Sequence, residues 1–122
     1  MANEPIKSYR DLIAWQKCYA LGKTVYRTAA TLPEAERYGL IASLRRLSIT
    51  VSSHIANGYG RGNTADYLWF LKQSRGELYQ LDTQLLFCRD FHYVDDESYG
   101  AIKAELDEAE RVLAGLIRSL ER

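Results

Sequence analysis

Histidine is nearly absent from this chain: His54 and His92 are the only two among 122 residues. Helical proteins that hold a di-metal centre draw on inward-facing glutamates and on Glu-x-x-His pairs from two helices. Three positions before His54 and His92 stand Val51 and Arg89. Neither supplies the missing carboxylate, so no metal and no cofactor is expected. Cysteine is as scarce. Cys18 and Cys88 form neither a metal-ligand spacing nor a disulfide framework, and both read as buried free thiols, which pack as small hydrophobes. No apolar run approaches the ~20 residues of a membrane span. The opening Met-Ala-Asn-Glu-Pro lacks the charged-then-apolar pattern of an export signal, so a cytoplasmic protein without a membrane partner is expected. β-branched residues cluster only at Ile49-Thr-Val51, inside a helical stripe, so no strand is expected either.

A net charge is also lacking, since 16 Lys and Arg balance 16 Asp and Glu, and no global basic excess points to nucleic acid. The charge is nonetheless divided. Residues 1–62 carry nine Lys or Arg against four Asp or Glu, whereas residues 63–122 carry seven against twelve. One half is basic and the other acidic, which suits a basic half of one copy meeting the acidic half of the next in a heterologous contact that closes into a ring.

What is present is helical periodicity. After a short arm over residues 1–7, Ser8 with Asp11 three residues on forms a capping-box arrangement. The first helix is expected from about Tyr9 to about Thr31, with Leu12, Trp15, Tyr19 and Tyr26 on one stripe and Ala14, Cys18, Leu21 and Val25 on the next. Pro33 forces the preceding residue out of the helical region and opens the second helix, and Gly39 marks a break before its main segment. That segment, Leu40 to about Asn57, carries Leu40, Leu44, Leu47, Val51 and Ile55 and leaves through Gly58-Tyr-Gly-Arg-Gly62, where glycine supplies left-handed caps. Asn63 caps a third helix with core positions Tyr67, Leu71, Ser74, Leu78, Leu81, Leu85 and Cys88. Gly76 within it reads as a point of close helix approach. Asp95 or Asp96 caps a fourth, built on Tyr99, Ile102, Leu106, Ala109, Leu113, Leu116 and Leu120. The expectation is one all-α domain, an antiparallel up-down-up-down four-helix bundle.

No catalytic constellation is legible. His54 has Ser52 and Ser53 beside it, but residues one or two apart face different sides of a helix, and no Asp is placed to orient the ring. It reads as a structural or interface histidine. The Gly58 to Gly62 loop lacks the Lys-Ser/Thr ending of a phosphate-binding loop. No small-molecule substrate and no enzyme activity are therefore expected. The candidates for an interaction surface are Trp15, Arg45, Arg46, His54, Arg61, Tyr67, Trp69 and Arg75. Arg45, Arg46, Arg61, Lys72 and Arg75 are expected to gather with Tyr59 and Tyr67 near the junction of the second and third helices, where arginine and aromatic side chains together could hold RNA.

Several short stretches occur in an order that is itself informative: Tyr9-Arg-Asp-Leu-Ile-Ala-Trp-Gln-Lys17, Leu32-Pro-Glu-Ala-Glu-Arg-Tyr-Gly-Leu40, Leu44-Arg-Arg46, Ile55-Ala, Gly58-Tyr-Gly-Arg61, Phe70-Leu71, Arg75-Gly76 and Leu81-Asp-Thr-Gln-Leu85. In them the chain resembles the 23S rRNA intervening-sequence proteins, a bacterial family of four-helix bundles. The resemblance implies a ring-like homopentamer and no established enzyme activity. Distant relatives accompany reverse transcriptases, which supports the alternative of an RNA-binding accessory protein. The chain departs from the usual family pattern Ser-Ile-Pro-Ser-Asn-Ile-Ala-Glu-Gly at Ser52, His54 and Asn57.

Overall fold

The computed structural model describes residues 5–122; the first four residues of the expected arm lie outside the described residues. Among the described residues there are four α-helices: α1 (Ile13–Ala29), α2 (Ala42–Tyr59), α3 (Thr64–Asp90) and α4 (Asp96–Glu121). No strand occurs among the described residues. Gly22 of α1 meets the Ser48 backbone of α2 while Arg45 lies over the Tyr26 ring. In α3 and α4, Asp82 pairs with Lys103 and Lys72 with Glu121. Both sets of contacts run in opposite order along the two helices, as antiparallel neighbours require.

The core is a continuous apolar cluster to which every helix contributes. Leu21 and Val25 meet Leu44, Leu47, Val51 and Ile55 from α2, Leu71, Leu78, Leu81 and Leu85 from α3, and Leu106, Leu113 and Ile117 from α4, all essentially inaccessible. Ser74, buried among them, donates its hydroxyl to the Val51 carbonyl at 2.9 Å, so the one polar core side chain of α3 is also a tie to α2.

Caps fall where the sequence places them, with one consequence for α1. The side chain of Asp11 accepts from the Lys7 and Ser8 amides, while Ser8 Oγ accepts from the Arg10 amide. These bonds close a separate 3-10 turn over Tyr9–Asp11, Leu12 takes an extended conformation, and the helix begins at Ile13 rather than Tyr9. The break expected at Gly39 is present, as a wide turn over Arg37–Ile41 with Gly39 at φ −105° and ψ −107°. Asn63 Oδ1 caps α3 and Asp95 caps α4. α2 runs through Gly58 to Tyr59, and the left-handed glycine is Gly62.

Two details depart from the expected pattern for geometric reasons. In α4 the buried set is Ile102, Leu106, Ala109, Leu113 and Ile117, while Leu116 and Leu120 are only half-buried. A helix with 3.6 residues per turn drifts away from a strict seven-residue repeat, so Ile117 takes over the inward position. The glycine that brings helices together is Gly22, not Gly76. A methyl at Gly76 would meet nothing within 4 Å, whereas at Gly22 it would collide with the Ser48 carbonyl, and at Gly58 it would press on Phe70.

Candidate interaction surfaces

The wide apolar face of α1 is only half used by the core. Trp15 is half-buried, and Tyr19 and Tyr26 remain 46% and 43% exposed. Trp15 stacks on Tyr19 with ring centroids 4.8 Å apart and planes 9° from parallel, and Tyr9 tilts against Trp15 at 5.2 Å. Lys23 Nζ lies 4.7 Å from the Tyr19 ring, and the Arg45 guanidinium 5.0 Å from Tyr26. These rings wall a groove of about 310 Å³ between α1 and α2, floored by Gly22, Ser48, Ser52 and Ala56 and edged by Ile49. The floor is shallow because Gly22 lets the two backbones touch.

The basic cluster expected at the α2–α3 junction is divided. Arg45 and Arg46 occupy the first turn of α2, and at 1.5 Å per residue they lie roughly 20–25 Å from Arg61 along the chain's axis. Arg75 lies twelve residues past the Asn63 cap, roughly 18 Å along α3, whereas Arg61, Tyr67 and Trp69 remain at the junction end. There the Arg61 guanidinium lies 4.8 Å from the Phe70 ring, Trp69 meets Phe70 edge-on at 4.9 Å, and Tyr59 meets Tyr67 edge-on at 6.1 Å. The Tyr67 hydroxyl is buried without a partner, and that burial, helped by Tyr59, pushes its pKa up to about 12.

His54 faces neither serine. Its Nδ1 sits 2.8 Å from Glu77 Oε1 of α3, and the Phe70 ring centroid of the same helix lies 6.0 Å from its own. Ser53 donates to the Ile49 carbonyl, and Ser52 lies in the groove floor facing α1. The carboxylate that orients the ring comes from 23 residues away, so no local spacing announces it. This arrangement is an interhelical clasp without a nucleophile. Among the described residues, no group of three or more His, Cys, Asp or Glu side chains is placed to hold a metal ion, and no helix is long and apolar enough to cross a membrane.

These features sit on a chain whose residues 10–115 match the family model of the 23S rRNA-intervening sequence protein. The chain belongs to this family. No curated protein matches it. Within the intervening-sequence fold, the three departures from the usual pattern now have places. Ser52 is buried in the groove floor, His54 is clasped by Glu77, and Asn57 is exposed. Two of the three therefore lie where α2 meets α1 and α3.

The thiols of this intervening-sequence protein are buried as expected. Burial pushes Cys18 up to about 12, and burial with the nearby Glu36 carboxylate pushes Cys88 up to about 11. Thiolate is the reactive form, so at pH 8 neither cysteine of the folded protein should react with a disulfide reagent such as Ellman's. Both should react once guanidinium unfolds the chain. One equivalent released promptly under native conditions would contradict the packing around that cysteine.

Proposed function

We propose that this chain is a non-enzymatic, self-assembling module that forms a ring-like homopentamer and serves as a binding or scaffolding unit, with no cofactor and no small-molecule substrate. The observation that carries the reading is the uncovered aromatic groove of α1 and α2. A monomer would leave Tyr19, Tyr26 and Ile49, which is 56% exposed, in water, and contiguous exposed apolar surface of this kind marks an interaction site. Lys23, Arg45 and Arg46 flank the groove, while α4 presents Glu97, Glu105 and Asp107. A groove of one copy against the acidic side of the next gives a heterologous contact, which repeats until the ring closes.

Light scattering on the purified protein, with absorbance at 260 and 280 nm recorded across the same peak and no nuclease treatment, tests this directly. The expected mass is five times the 14.0 kDa chain, or a multiple of five, with no excess absorbance at 260 nm. Ile49→Glu, which places a charge on the exposed groove edge, should break the ring and drop that mass below five chains while the helical circular dichroism persists. A monomeric wild-type protein would overturn the assembly. Co-purifying nucleic acid would favour the RNA-binding alternative, with Arg61, Tyr67 and Trp69 as its first residues to neutralise or truncate.

A further inference from the structure

α3 has a second face that the bundle does not use. Trp69, Gln73, Gly76, Gln80, Phe87 and Phe91 are all exposed, and at 100° per residue they fall within a sector of roughly 60° on the side opposite Leu71, Leu78 and Leu85. None is charged, and Trp69, Phe87 and Phe91 are 57%, 49% and 51% exposed. A helix whose inner face is Leu-rich should be polar on its outer face. This one places aromatic rings at both ends of the stripe and uncharged side chains, Gln73, Gly76 and Gln80, between them.

The stripe is symmetric about Gln80. Trp69 and Phe91 each lie eleven residues from it, and Gln73 and Phe87 each lie seven. If two such helices meet antiparallel across a two-fold axis at Gln80, Trp69 of one faces Phe91 of the other and Gln73 faces Phe87, in both halves. Two of the charges beside the stripe obey the same symmetry. Lys72 and Asp90 project on one flank, eight and ten residues from Gln80 on opposite sides of it, and flank positions on the same side face each other in an antiparallel pair. Each Lys72 then lies beside an Asp90 of the other copy, twice per contact. Their present partners, Glu121 and Arg89, are held in exposed pairs, which are worth little and exchange readily. Gly76 also acquires a reason. Nothing in its own chain crowds it, and a glycine in the stripe lets a second backbone come close.

We propose that the outer face of α3 is an isologous interface, occupied by the antiparallel α3 of a second copy of this chain. The contact is separate from the α1–α2 groove, so it stands or falls independently of the ring. Gln80→Cys tests it, because a residue on the two-fold axis meets itself within the ~4.4–6.8 Å Cα separation a disulfide spans. Under mild oxidation Gln80→Cys should convert most of the protein into a two-chain species on a non-reducing gel. Ala104→Cys, exposed on α4, should remain single-chain. Lys72→Glu in the Gln80→Cys background should cut the cross-linking rate several-fold, and adding Asp90→Lys should restore it. As a second readout, Gly76→Arg should halve the number of chains per particle while the helical circular dichroism persists. Equal cross-linking by Gln80→Cys and Ala104→Cys would overturn the proposal, as would a Gly76→Arg protein of unchanged mass.

Discussion

Leu78→Ala is expected to lower the unfolding free energy by about 2–5 kcal/mol, read as a shift in the urea midpoint at unchanged slope. Leu78 is wholly inaccessible on the inner side of α3, in line with Leu71, Leu81 and Leu85. Removing three of its carbons forfeits their transfer free energy and leaves a cavity that the surrounding leucines fill only in part. The size of the loss reports how far the helices can close over the gap. A loss below ~1 kcal/mol would mean that the site collapses freely, which is incompatible with four helices locked by a single core. Because such domains keep only about 5–15 kcal/mol in total, the substitution should also increase unfolding in the cell.

Gly22→Ala should destabilise by about 1–3 kcal/mol, although alanine is the better helix former by roughly 1 kcal/mol. Propensity and packing oppose each other here, and packing is expected to win. The new methyl would be driven into the Ser48 carbonyl oxygen, with the carbonyl carbon only 3.3 Å away. Backbone cannot rotate aside as a side chain would, so α1 and α2 must separate. Separation along this seam also opens contacts among Cys18, Val25, Leu44 and Leu47. Thermal unfolding of Gly22→Ala beside Gly76→Ala makes the comparison clean, since the second has open space within its own chain and should cost clearly less than the first. Equal effects at the two sites would show that the α1–α2 seam is not tight.

Why the sequence reads well in some places and poorly in others follows from the range of each interaction. The helices, their Asn63 and Asp95 caps and the break at Gly39 are decided within four residues, so they are legible from neighbours alone. The stripe Leu71, Ser74, Leu78, Leu81 and Leu85 is equally plain, because one buried side imposes its period on the chain. The first turn was harder. Ser8 and Asp11 signal a cap correctly, but a cap can close a separate 3-10 turn as well as open a helix, and the extended Leu12 gives no warning in its side chain. Glycine was ambiguous in the same way: Gly22 and Gly76 look alike until the neighbouring helix is in place. Long-range pairs were invisible. Glu77 reaches His54 across an interhelical seam, and Arg45 joins Tyr26 of α1 instead of Arg61, because helix length carries the two arginines to different ends of the bundle. His92 adds a last case. It adopts φ 60°, with the His92 amide donating to the Arg89 carbonyl and the Tyr93 amide to that of Cys88. That is a helix-ending turn in which glycine is usual, so composition there disguised the conformation.

Tyr93, fixed by that turn, donates its hydroxyl to Glu36 Oε2 at 2.8 Å, and the other Glu36 oxygen accepts from the Leu40 amide at 3.4 Å. One carboxylate thus joins the α1–α2 connection to the α3–α4 connection, and the bond to Glu36 is the main reason the Tyr93 phenol is harder to ionise than usual. The consequence is mechanical. Local opening of a helical bundle ordinarily begins by fraying at its ends, each loop on its own. At this end neither loop can lift without releasing the other, whereas among the described residues the Gly60–Gly62 loop at the far end carries no comparable strap. The bundle is therefore hinged like a clothes-peg, firm where Glu36 and Tyr93 clasp it and freer to breathe at its opposite tip.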